Sequence, residues 1–311
     1  MDMVHSGMLG SLSNYIGNQS NYGYGATYWS YGREDNGSLA LTFLATDEAL
    51  LEWGMCSVAT GHIGFFFDNY VDIHSGHIAA YTWKSDGSDG GEGDSVSDVG
   101  RIIHIFIRAT KLCGHGDSIH RQMLDEWSAE YTPYAEALGR RLLRLRVASA
   151  TDTPKPPTGC AGLVNGAPEH DWGGVTDKFF FNNNAWTLRG IEALSKFLLS
   201  DSNQYRNKTL GKILQADGKV FRPQLVGCVE ACTEMSKSGA EVAFVPPYAS
   251  LNATAYDTMT DSREASYSNF RFYPETLLAD VLPRDVEQMM LRYHNTHNGM
   301  RSLSCCIAGS H

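Results

Sequence analysis

The 311-residue chain has no run approaching the roughly 18 uninterrupted apolar residues that a membrane span needs. It also lacks a surplus of positive charge. Twenty-five Lys and Arg stand against 35 Asp and Glu, leaving a formal charge of −10. A broad phosphate-binding surface is therefore not expected, and nucleic acid is set aside as a partner in favour of neutral or cationic ligands. The opening MDMVHSGMLG carries no basic segment followed by an apolar one, so no signal peptide is read there. A soluble chain is expected, with a slight preference for the cytoplasm. There is no P-loop and no G-x-S-x-G elbow, and GYGATYWSYG lacks the glycine spacing of a dinucleotide fingerprint. No cofactor is called for.

Paired C-x-x-C spacing is missing too. The seven cysteines fall at 56, 113, 160, 228, 232, 305 and 306, and their odd count points to reduced thiols or to one unpaired residue. Cys228 and Cys232 sit four apart on an expected helix, with no nearby His pair to complete a zinc site. His62, His74 and His77 with Asp68 and Asp72 form a second thin candidate, and no metal is assigned. The acidic turn SDGSDGGEGD departs from EF-hand spacing and reads as a solvated loop.

What the chain does have is apolar residues at 42%, charged residues at 19%, fifteen Tyr and six Trp, a globular composition with enough rings to line a cleft. Helical periodicity is expected over 38–70, with an interruption near Thr46-Asp47 or Gly61, over 97–114, and over 117–149, bent or divided at Pro133. Further helices are expected over 176–200, 203–214 and 222–236, and FRFYPETLLADVLPRDVEQMMLRYHNTH reads as two helices meeting at Pro283. Arg140, Arg141, Arg144 and Arg146 read as a solvated helix face. Residues 151–166 are a proline- and glycine-rich connection and a candidate sub-boundary within a single 1–311 domain. Strand content is minor, with short alternation in HSGHIAAYTW. Asn18, Asn36, Asn207 and Asn252 head N-x-S/T triplets.

Paired buried helices, with the unusual polar and aromatic clusters held in their connections, fit an all-α toroid. YGYGATYWSYGREDNGSL, GHIGFFFDNYV, GLVNGAPEHDW with FFFNNNAWTLRGI, and FRFYPETLLADVLPRDVEQMMLRY together resemble the six-hairpin glycosidase-like superfamily. The resemblance implies an (α/α)6 barrel that hydrolyses a glycosidic bond with acidic residues at the barrel mouth. A full toroid needs twelve helices. The eight or nine counted here imply a truncated or rearranged member.

Glycoside hydrolysis asks for two carboxyl groups, about 5 to 5.5 Å apart for retention and about 6.5 to 9.5 Å for inversion. Three segments offer them: Glu34 and Asp35 in REDNGS, Glu169 and Asp171 in PEHDW, and Glu275 in YPET. The first and last also suit helix starts, where a carboxylate meets unsatisfied backbone N–H groups. Trp172 beside Glu169, His170 and Asp171 supplies a desolvating wall that raises a carboxyl pKa. Tyr24, Tyr28 and Trp29 offer stacking faces, and Arg33 offers a carboxylate partner. On NNNAWTLRG, Asn183, Trp186 and Arg189 recur every three residues, close to one helix face. The expected activity is glycoside hydrolysis of a glycan or oligosaccharide. The alternatives are a non-catalytic carbohydrate-binding or scaffold protein on the same barrel and a lyase acting on uronate sugars.

Overall fold

Along 96–107 nine of the twelve side chains are apolar or small, and over 181–199 apolar positions return three and four apart. Both patterns satisfy backbone hydrogen bonds locally while presenting apolar surface for burial. The structure, a computed structural model, describes residues 53–78, 96–113, 118–151, 155–166, 178–200, 207–236, 243–250 and 273–296. Within them lie seven helices: α1 (Trp53–Tyr70), α2 (Val96–Leu112), α3 (Ser118–Thr151), α4 (Phe181–Leu199), α5 (Lys208–Ser236), α6 (Tyr273–Leu278) and α7 (Arg284–Thr296). Among the described residues there is no strand. Two isolated antiparallel bridges pair Val71 with Ile78 and Phe180 with Tyr248. The fold class is all-α.

Several boundaries depart from the sequence pattern for identifiable reasons. α1 runs through Gly61, because Ile63, Phe66 and Phe67 are buried and that burial outweighs the cost of about 1 kcal/mol for a glycine in a helix. α3 is one helix through Pro133, and α5 is one helix through Pro223, merging the two helices expected over 203–214 and 222–236. Both prolines are exposed, so the carbonyl each leaves without an amide partner can turn to water. Pro283 does separate two helices. Its carbonyl accepts the Glu287 amide at 3.1 Å, the first backbone bond of α7.

The described residues fall into two units. The first takes α1, residues 71–78, α2 from Arg101, α3 to Arg141, and residues 193–200 and 207–212. Its core is a chain of rings. Phe67 packs edge-on against Phe106 at 5.6 Å and stacks with Tyr131 and Tyr134 at 5.7 and 5.5 Å, while Phe106 touches Trp127 at 5.2 Å and Phe197 at 5.7 Å. Trp127 finds a polar partner in the Thr60 carbonyl, 3.1 Å away, as a buried indole N–H requires. Gly76, at φ +68°, brings the turn after α1 onto α3, where a Cβ would sit 2.3 Å from the Ala137 carbonyl oxygen. Only glycine takes both that conformation and that approach without strain.

The second unit takes residues 96–100, α3 from Leu142, 155–166, α4 to Glu192, α5 from Ile213, 243–250, α6 and α7. Here backbones approach each other directly. A Cβ on Gly100 would lie 1.9 Å from the Trp186 carbonyl oxygen, and one on Gly190 would lie 2.6 Å from the Gly100 Cα. The basic tract also departs from expectation, since Arg146 is buried. Its Nε donates to Asp217 Oδ2 at 2.7 Å, its Nη1 to the Gly162 carbonyl and its Nη2 to Gln224 at 3.2 Å, and its guanidinium lies 3.6 Å over the Phe221 ring. Arg146 is one turn beyond buried Leu142 on the inner face of α3, whereas Arg144 is exposed.

Candidate functional site

Three consecutive asparagines open α4. Successive residues on a helix point about 100° apart, so the three fully buried side chains divide between two segments, Asn183 and Asn184 reaching the 155–166 connection and Asn182 reaching α6. Asn184 accepts the Val164 amide at 2.7 Å and donates to the Val164 and Phe180 carbonyls at 3.0 and 2.7 Å, clamping the 155–166 connection as a strand partner would. Asn183 donates to the Gly166 carbonyl at 3.2 Å. Asn182 donates to Glu275 Oε2 on α6 at 3.0 Å, while its Oδ1 accepts no hydrogen bond. A fully buried amide that donates to a half-buried carboxylate fixes the position of that carboxylate.

Four of the residues expected from the sequence to form the site fall in this second unit. Glu275 is half-buried on α6 with Asn182 as partner. Asn183 holds Gly166. Trp186 is 3% exposed, and its backbone carbonyl is the one approached by Gly100. Arg189 is half-buried, with Nη1 3.8 Å from Asp280 Oδ2. Asp280 is largely exposed and takes a left-handed φ of 52° at the end of α6. Tyr24, Tyr28, Trp29, Arg33, Glu34, Asp35, Glu169, His170, Asp171 and Trp172 lie outside the described residues. Asn182, next to a residue singled out from the sequence, is the contact that the three-residue spacing passed over; the NNN triplet itself was its signal.

Around the Asn cluster the unit is braced. Glu192 receives both Nε and Nη2 of Arg222, at 2.9 and 2.7 Å, and Arg222 Nη1 donates to the Val281 carbonyl at 2.6 Å. The hydrogen bond to Glu192 is the main reason that the guanidinium is held above its usual pKa. The Tyr273 hydroxyl donates to the Val245 carbonyl, and its complete burial pushes the phenol well above its ordinary value. The Phe181 amide donates to the Pro247 carbonyl at 3.0 Å and the Ala249 amide to the Phe179 carbonyl at 2.9 Å, so residues 245–249 run beside the α4 start.

The first unit holds a different polar arrangement. Asp68 accepts from the Tyr131 hydroxyl at 2.9 Å and, more weakly, from the Tyr134 hydroxyl at 3.4 Å. Burial first, and then the hydrogen bond to Asp68, raises the Tyr131 pKa well above its normal value. Asp72 caps its own turn, with Oδ1 accepting the His74 and Ser75 amides at 2.7 and 2.8 Å; chiefly through these bonds its carboxyl is lowered. Burial pushes His62 below the ordinary imidazole value. Among the described residues these His and Asp side chains do not converge as metal donors. Asn207, the described N-x-S/T asparagine, is a helix cap: its Oδ1 accepts the Leu210 amide at 3.0 Å and its Nδ2 donates to Glu136 at 3.1 Å.

The donors that do converge are sulfurs. Cys160 and Cys228 form a disulfide across 68 residues, linking the 155–166 connection to α5, and Cys232 sits one turn further along α5 as a buried thiol. Cys113 is also disulfide-bonded, so the reading of wholly reduced thiols does not hold. The 68-residue separation concealed Cys160 from any spacing argument. No protein-family model matches the chain, and comparison with curated proteins and with solved structures returns no match.

Proposed function

We propose that the protein is a glycan-processing hydrolase that uses a pair of carboxyl groups, with Glu275 as one of them and its partner drawn from Glu34, Asp35, Glu169 and Asp171. The observation that carries this reading is the pairing of Glu275 with buried Asn182, at 3.0 Å, beside an amide oxygen that accepts nothing. Asn182, fully buried, holds the Glu275 carboxylate in place, and the half-buried Glu275 is the group offered to a sugar hydroxyl. The all-α fold is the class that the resemblance to six-hairpin glycosidases implies, and an (α/α)6 arrangement remains part of the proposal. Asn183, Asn184 and Trp186 serve in this reading as the frame that fixes the α4 start. Stacking belongs to Tyr24, Tyr28, Trp29 and Trp172, with Arg33, His170 and Arg189 as polar contacts.

Turnover of a panel of aryl glycosides and oligosaccharides tests the reading, with Glu275→Gln, Asp35→Asn and Asp171→Asn compared with the native chain and circular dichroism confirming that each variant is folded. Native activity that falls by about 100-fold or more in Glu275→Gln is expected, the usual size of a lost acid–base contribution. Unchanged turnover in that variant would remove Glu275 from the chemistry. Binding of sugars without turnover would leave the non-catalytic reading, and an ultraviolet-absorbing unsaturated product would replace hydrolysis by elimination.

A further inference from the structure

We infer that Cys160, Cys228 and Cys232 form a redox-gated site for one soft metal ion, closed while the Cys160–Cys228 disulfide stands and open as a three-sulfur site for Cu(I) once it is reduced. This inference goes beyond the hydrolase proposal and does not depend on it. The three sulfurs lie within 4.8 Å of one another, and all three residues are fully buried. Cys232 Sγ is 4.0 Å from Cys160 Sγ and 4.0 Å from Cys228 Sγ. Metal–thiolate bonds of about 2.3 Å place the corners of a trigonal set about 4 Å apart. Two of the three edges already have that length, and opening the disulfide supplies the third.

The choice of ion follows from the donors. Among the described residues no His, Asp or Glu joins the set. Three sulfurs without a fourth ligand suit Cu(I) better than Zn(II), whose structural sites take four, and soft thiolates favour both over Mg(II) or Ca(II). The chain also supplies an outer contact. The Ser250 backbone stands within hydrogen-bonding reach of the Cys232 sulfur, a contact that orients this donor.

The chemistry balances with a dithiol as reductant. It supplies two electrons and two protons to the Cys160 and Cys228 sulfurs and leaves as its own disulfide. Cu(I) then enters as thiol protons are released to solvent.

The test is anaerobic titration of the dithiol-reduced, buffer-exchanged full chain with Cu(I), followed by thiolate-to-copper absorption and by X-ray absorption for the number of sulfur ligands, with Zn(II) in a parallel arm. One Cu(I) per chain with three sulfurs at about 2.3 Å is expected, with Zn(II) held more weakly. Cys232→Ser, which keeps the disulfide and every other cysteine, should weaken that uptake by at least about 100-fold, and the unreduced native chain should take up none at this site. Equal uptake by Cys232→Ser or by the unreduced chain would overturn the inference. So would no uptake after reduction, tighter binding of Zn(II), or helical circular dichroism lost on reduction and not restored by Cu(I).

Discussion

In the first unit Phe67 and Phe106 sit at the junctions of a ring cluster that also takes in Tyr131, Tyr134, Trp127 and Phe197. The second adds to its apolar core buried amides, guanidinium groups, a disulfide and two glycines pressed backbone to backbone. The difference teaches where specificity comes from. Burial of apolar surface is non-directional, whereas each Asn or Arg contact demands a partner at one distance and angle. The unit that contains these buried Asn and Arg contacts is the one that carries the candidate acid and the sulfur cluster.

Removing one ring from the first unit should have the largest effect. Phe106→Ala is expected to cost about 4 kcal/mol, read from the denaturant midpoint, because a buried phenyl is lost together with its contacts to Phe67, Trp127 and Phe197. A loss below about 1 kcal/mol would show that the ring cluster is not what holds that unit. In the second unit, Gly100→Ala should cost about 2 kcal/mol despite alanine's better helix propensity, because the added methyl has to push the α4 backbone away. A neutral or stabilising result would break the contrast by showing that the approach of α2 to α4 relaxes freely.

The smallest change sharpens the comparison through pH. Tyr131→Phe should cost about 1 kcal/mol near neutrality, the worth of the hydrogen bond to Asp68. The phenol's pKa is raised in the folded chain. Above about pH 10 the unfolded chain gives up a proton that the folded chain keeps, so native stability falls as pH rises beyond that point. The variant has no such proton to keep, and its disadvantage should shrink when denaturant midpoints are compared at about pH 7 and about pH 10.5. A gap that widens at the higher pH would contradict the assigned environment.

Much of the helical pattern was legible before any tertiary contact was known. Periodicity located α2, α4 and the α6–α7 pair, and Pro283 marked the break between the last two, because apolar spacing and proline geometry are local properties. The continuity of α3 and α5 was not legible, since a proline on the exposed side of a helix and one facing a neighbour look identical in sequence. Glu275 was read correctly as a helix-start acid, but its partner Asn182 is 93 residues away. Burial of Arg146 was hidden for the same reason, because Asp217 and Gln224 come from another helix.

By itself, then, the sequence determined an acidic chain whose described part is all-α and contains no helix long and apolar enough to cross a membrane. Those properties depend on composition and on repeats of three and four residues. Only the tertiary structure decided that Asn182 meets Glu275, that Arg146 is buried against Asp217, and that Cys160 joins Cys228 and Cys232. Each of these contacts closes a long loop, and its partners are selected by packing geometry rather than by any local preference of the chain.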